Sequence, residues 1–230
     1  MIITIDGPVA TGKSTIARKL SQSLGFIYFD TGAMYRILTY ALMIHKIEYH
    51  DPKVLEEFLK TFEFRIKTYR GQKQYLYEGQ DVTLQIRENA INVLVSEISA
   101  MPTVREKLVD LQRKMSVGVN VVFEGRDMGT VVFPDAPLKI FLTATLEERA
   151  RRRLEELKKS FPDQADKFSV EQVMKETSER DLYDSSRKLS PLKQAEDAHL
   201  IDCTQMSAEE VVYKILEIKD KVRPKAIFGR

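Results

Sequence analysis

At 230 residues with 43% hydrophobic side chains, the chain suits one large domain built around a sizeable apolar core. A net charge of +2, from 36 basic and 34 acidic residues, excludes the strong positive field of a nonspecific nucleic-acid binder. The single cysteine, Cys203, excludes an internal disulfide and a cysteine-based zinc site. No run approaches the roughly 18 apolar residues of a membrane-spanning helix, and Ile2 already begins a strand, so a cytoplasmic protein with no membrane partner is expected.

The first element is the β-prone run "IITID", followed by "GPVATGKS" and then by an amphipathic helix with Ile16, Leu20 and Leu24 on one face. Gly7, Pro8, Val9, Ala10, Thr11, Gly12, Lys13 and Ser14 read G-x-x-x-x-G-K-S, the phosphate-binding loop between a strand and a helix. A helix N-terminus offers unpaired N–H groups and the positive end of its dipole, so an anion is stable there. In such a loop the backbone amides wrap the phosphates, Lys13 reaches the β- and γ-oxygens, and the Ser14 hydroxyl ligands Mg²⁺. Thr15 completes the stretch expected to contact ATP.

Next come "GFIYFD" (25–30), read as a buried strand, and "TGAMYRILTYALMIHK", read as a helix. The stretch 61–86 alternates apolar and polar residues and turns at Arg70-Gly71 and Glu78-Gly79, which predicts a small inserted antiparallel sheet. Helices are expected over "RENAINVLVSEISA" and "PTVREKLVDLQRKM". Strands follow at "NVVFEG" (120–125), "LKIFLTA" (138–144) and "AHLIDC" (198–203). Five short apolar strands separated by helices imply a parallel sheet covered on both faces, with ligands at the carboxyl ends of its strands. The tail 222–230 is basic and aperiodic.

The arginines call for a second anion. Arg36, Arg126, Arg180 and Arg187 lie near the expected crevice, with Arg105 a further arginine in "PTVR", and a guanidinium donates two parallel hydrogen bonds to phosphate without losing its charge. The cluster "EERARRR" has two readings. It is either a solvated face with the i,i+4 pairs Glu147–Arg151 and Glu148–Arg152, or a lid whose Arg149, Arg152 and Arg153 close over a triphosphate. His45, His50 and His199 lack metal-ligand spacing, and Cys203 reads as a small apolar filler.

Taken in order, "ITIDGPVATGKST", "DTGAMYR", "SEISAMPTVREKLVDLQR", "EGRDMGTVVFPDAPLKIFLTA", "EERARRR" and "ERDLYDSSRKLSPL" resemble the bacterial-type cytidylate kinases, a family of P-loop nucleoside monophosphate kinases. The resemblance implies an α/β fold: a five-stranded parallel core, an inserted antiparallel region that binds the monophosphate, and a short helical lid. It divides one kinase domain into a core (1–60, 87–148, 182–222), an insert (about 61–86) and a lid (about 149–181). It implies transfer of the γ-phosphoryl group of Mg-ATP to CMP or dCMP. Ser96, Arg105 and Asp127 would contact cytosine. Thr31, Tyr35, Arg36, Arg126, Arg180, Asp184 and Arg187 would hold the acceptor phosphate and sugar. Lys13, Arg126, Asp127, Arg180 and Arg187 form the expected catalytic set, Ser14 the metal ligand, and a monomer suffices. Ala10 stands where many members have Gly, so the loop must either avoid a positive φ there or accept strain. Thr31 replaces a common Ser. Glu124 replaces a common Asp and is expected as an outer partner of Mg²⁺.

Other functions fit less well. A kinase acting on a neutral hydroxyl would use Asp127 or Glu124 as a base but would leave the arginines little to bind. A GTPase-type switch needs D-x-x-G and N-K-x-D, and neither occurs. Nucleic-acid binding through "RARRR" lacks interleaved aromatic residues.

Overall fold

The computed structural model describes residues 1–69 and 72–222, so the turn expected at Arg70-Gly71 and the tail from 223 onward lie outside the described residues. The chain divides into two compact units, one made of Met1–Asp30 and Ser116–Arg230, the other of Thr31–Met115.

The first unit carries a five-stranded sheet. Its strands are β1 (Ile2–Asp6), β2 (Ile27–Asp30), β6 (Val121–Gly125), β7 (Leu138–Thr143) and β8 (His199–Asp202), in the order β2-β6-β1-β7-β8. Every pairing is parallel. β1 and β6 are apolar because both faces are covered, and burial of each Ile, Val or Leu contributes roughly 1.5–3 kcal/mol. Helix α1 (Lys13–Leu24) packs on the sheet through Ile16, Ala17 and Leu20, together with Ile3, Ile5, Leu142, Ile201 and helix α8 (Ala208–Lys221). Phe123 is sandwiched by Phe29 and Phe133, with ring centroids 4.9 and 4.6 Å apart. From β1 the chain runs to β2 on one side of the sheet and later to β7 on the other, so the carboxyl end of β1 is the switch point where such sheets bind ligands.

Between β7 and β8 lie α6 (Leu146–Ser160), a 3-10 turn (Pro162–Lys167) and α7 (Val170–Ser186). Thr145 caps α6 and Ser169 caps α7, each side chain accepting a first-turn N–H.

The second unit holds α2 (Thr31–Ile44), α3 (Pro52–Thr61), the antiparallel strands β3 (Arg65–Tyr69), β4 (Gln72–Tyr77) and β5 (Gln80–Asp81), then α4 (Asn89–Ile98) and α5 (Pro102–Met115). Asp51 caps α3 with Pro52 in its first turn. Leu55, Leu59 and Phe62 join Leu38, Tyr77, Ile86 and Leu108 in one core.

Candidate active site

The loop after β1 is shaped by close approach and by left-handed backbone. At Gly7, with φ +150°, a Cβ would lie 2.3 Å from the Leu142 carbonyl oxygen, so no side chain fits. Ala10 has φ +59° and Gly12 +88°. Of the two routes open to Ala10, the structure takes the strained one, at roughly 1–2 kcal/mol. Left-handed residues within a turn make a concavity of N–H groups, here leading into the N-terminus of α1. Lys13 opens that helix and is buried; its Nζ donates to the Pro8 carbonyl at 2.6 Å and to Thr11 Oγ1 at 3.4 Å. Burial first, and the Arg126 charge second, bring the Lys13 ammonium down to about 7.

Two carboxylates flank the loop. Asp6 accepts the backbone N–H of Met128 at 2.9 Å and of Gly129 at 2.8 Å, one on each oxygen, while burial raises it to about 7. Glu124 Oε1 accepts from Ser14 Oγ at 2.5 Å and from Tyr28 Oη at 3.1 Å. Burial, then the Asp30 charge, push Glu124 above the usual carboxylate range. The Ser14 hydroxyl and the Glu124 carboxylate are hard oxygen donors meeting at one point, which fits Mg²⁺, an ion that keeps most of its waters and takes one or two protein ligands. No cluster of three or more His, Cys, Asp or Glu suited to a metal occurs among the described residues.

Three arginines converge on Asp184. Its side chain is 0% exposed, with Arg126 Nε at 2.8 Å, Arg180 Nε at 3.3 Å and Arg187 Nη2 at 3.5 Å. Burial alone would raise its pKa, but the guanidinium groups, Arg126 foremost, hold it below the usual carboxylate range. Asp127 is buried, and its carbonyl accepts from Val131 N and Val132 N in the turn Met128–Val132.

The arginines of α6 take different places. Arg149 is 8% exposed and donates through Nε to the Ala144 carbonyl at 3.1 Å and through Nη1 to the Val9 carbonyl at 3.1 Å and to Asp181. Arg152 bonds Glu148 at 2.7 Å and the Cys203 carbonyl at 2.7 Å. Arg153 pairs with Glu156, and Arg151 with Glu148 and Glu155. Arg152, Thr15 and Ile16 line a cleft of about 630 Å³ together with Met206, Ser207 and Val211. That 204–208 segment carries no motif, and only its place after the fifth strand hinted at a role. Cys203 is buried, and its Sγ donates to the Thr143 carbonyl at 3.0 Å.

In the second unit, Thr31 opens α2 and is buried. Arg105 is buried with its guanidinium 5.7 Å from the Tyr35 ring centroid, and its Nη1 donates to the Ser99 carbonyl at 3.2 Å. Arg36 donates to Asn92 Oδ1 from Nη2 at 3.2 Å. Ser96 lies on α4 one turn after Asn92, and its carbonyl accepts from Ser99 Oγ at 3.0 Å. Sequence reasoning passed over Asn92, although its i,i+4 spacing from Ser96 was a readable signal. His45 pairs with Glu78 at 3.0 Å and His50 with Glu97 at 3.6 Å, both at the surface.

A phosphate loop at the switch point of a parallel sheet, with buried cationic groups beside it, defines the P-loop class of α/β proteins. The family profile described as Cytidylate kinase matches residues 3–221, and the chain belongs to this family. It is 52% identical to a cytidylate kinase of Protochlamydia amoebophila, over 98% of this chain and 99% of that one. It is 47% identical to a cytidylate kinase of Caldanaerobacter subterraneus subsp. tengcongensis, over 94% and 92%. A crystal structure of an uncharacterized protein from Eubacterium ventriosum shares the fold at TM-score 0.53 and 12% identity, covering 96% and 98%. Among the described residues no helix is long and apolar enough to cross a membrane.

Proposed function

We propose that this protein transfers the γ-phosphoryl group of ATP to CMP or dCMP, releasing ADP and CDP or dCDP, with the loop 7–15 taking the donor phosphates. The observation that carries the reading is the cluster of Arg126, Arg180 and Arg187 on the buried carboxylate of Asp184. A carboxylate with three guanidinium groups leaves excess positive charge, which suits a second phosphate beside the first.

The acceptor phosphate has a second pKa near 6, so its attacking oxygen is already mostly anionic at neutral pH and no general base is required. The obstacle is repulsion between two polyanions. Lys13 and the arginines neutralise them, and fixed positions align them for in-line transfer. Ser14 and Glu124 would hold Mg²⁺, which supplies charge neutralisation across the donor phosphates when bound. The cleft lined by Arg152 would take the adenine. On the acceptor side, Ser96, Arg105 and Asp127 would read cytosine, whose amino group donates and whose carbonyl and ring nitrogen accept. Thr31, Tyr35 and Arg36 would contact the phosphate and sugar. Segment 149–181 would serve as the lid. All these groups come from one chain, so a monomer suffices, and both substrates are cytoplasmic metabolites.

Single replacements Arg180→Ala and Arg187→Ala test the acceptor assignment. Each should raise KM for CMP at least tenfold while KM for ATP changes little. An unchanged KM for CMP in both would remove the assignment.

A further inference from the structure

The peptide groups of Val9 are gripped from two directions. Its N–H donates to Asp181 Oδ1 at 3.0 Å, and its carbonyl accepts from Arg149 Nη1 at 3.1 Å. Arg149 Nη1 also meets Asp181 Oδ2, and Arg149 Nε is tied to the Ala144 carbonyl at 3.1 Å, so the pair is anchored to the end of the β7 strand region as well as to α7. The next residue, Ala10, is the left-handed one at φ +59°. On its other flank, the Pro8 carbonyl and Thr11 are tied by Lys13 Nζ and Thr11 Oγ1. A residue in a sparsely populated conformation persists only where its surroundings over-determine it.

We infer that Arg149 and Asp181 form a positioning clamp that holds Ala10 in its left-handed conformation and so keeps the phosphate loop in its binding shape. Neither side chain need touch substrate for this. Arg149 then acts on ATP through Val9, and Asp181, one residue after Arg180 and three before Asp184 on α7, acts through Arg149 and the Val9 amide. Glycine at position 10 would enter the same conformation without strain and would have little use for the clamp. The inference rests on the reading that loop 7–15 binds the donor phosphates.

The test is a mutant cycle on the full chain: wild type, Asp181→Ala, Ala10→Gly and the double variant. The readouts are steady-state KM for ATP and for CMP, together with calorimetric binding of Mg-ADP. Asp181→Ala should weaken Mg-ADP binding and raise KM for ATP about tenfold, with KM for CMP changed less than threefold. Ala10→Gly alone sets the level of ATP binding against which the double variant is read. Measured from that level, Asp181→Ala in the Ala10→Gly background should cost less than threefold, against about tenfold in the wild-type background. Asp181→Asn, which keeps an acceptor for the Val9 N–H but loses the charge facing Arg149, should fall between wild type and Asp181→Ala and serves if the alanine variant does not fold. ATP parameters in the Asp181 variants within twofold of wild type, or a loss that Ala10→Gly does not reduce, would overturn the clamp while leaving the loop assignment intact. A wild-type protein that neither binds Mg-ADP nor uses ATP would instead remove the loop reading itself, and the clamp with it.

Discussion

Arg126 Nε lies 2.8 Å from Asp184 Oδ2, across 58 residues of sequence, with the carboxylate fully buried and Arg180 and Arg187 sharing its other oxygen. Removing one partner from a buried ionic cluster leaves the others uncompensated, at a cost of about 3–5 kcal/mol. Asp184→Ala should lose stability of that order in urea denaturation, and added inorganic phosphate should restore more of it than it adds to wild type. A variant as stable as wild type would show that the arginines are solvated independently of Asp184.

Lys13 sets a pH dependence. Its folded pKa is about 7, below the unfolded 10.5, so between these values the unfolded chain holds a proton that the folded chain has released. The contribution of this group to stability therefore rises with pH from about 7 to 10.5, and Lys13→Met should lack that rise. Phosphates in the loop would draw the proton back. Mg-ADP binding at pH 8, titrated in two buffers of different ionisation enthalpy, should show net proton uptake in wild type and none in Lys13→Met. Equal uptake in both would place the titrating group elsewhere. Activity of Lys13→Ala should fall by orders of magnitude in kcat.

Asp6 joins the end of β1 to the segment that follows Arg126. Asp6→Ala orphans the N–H groups of Met128 and Gly129, each worth roughly 1–3 kcal/mol when buried without a partner. Because Asp6 also carries a burial penalty of its own, which raises it to about 7, the net loss expected is about 1–3 kcal/mol. Thermal unfolding measures it, and hydrogen exchange at Met128 and Gly129 should quicken. Unchanged exchange there would contradict the role.

Glu124→Gln tests the metal assignment. Removing the charge beside Ser14 should raise the Mg²⁺ concentration for half-maximal activity several-fold, with KM for CMP nearly unchanged. A Mg²⁺ dependence identical to wild type would exclude Glu124 from the metal's surroundings.

The five core strands were legible within about two residues because each is a short apolar run, four of them ending in Asp or Gly, although the edge strands β2 and β8 are more exposed than the central β1 and β6. The phosphate loop was legible as a local motif whose strand and helix flank it directly. Helix Pro52–Thr61 was overlooked, although Asp51 and Pro52 spell a helix start and Leu55 and Leu59 sit one turn apart. The extent of the second compact unit was hidden, since periodicity marks an apolar face without saying that Leu59 and Phe62 meet Tyr77 and Leu108. Arg149 looked like its neighbours in "RARRR", and only the folded chain sets it against Val9. Asp181, which completes that contact 172 residues from Val9, carried no separable signal.

The most direct test of the central claim is a phosphotransfer panel with Mg-ATP as donor and CMP, dCMP, UMP, AMP, GMP, cytidine and shikimate as acceptors. The account predicts that CMP and dCMP lead by at least an order of magnitude in kcat/KM and that cytidine, which brings no phosphate to the arginines, is not phosphorylated. Phosphorylation of cytidine or shikimate with CMP inert would contradict it.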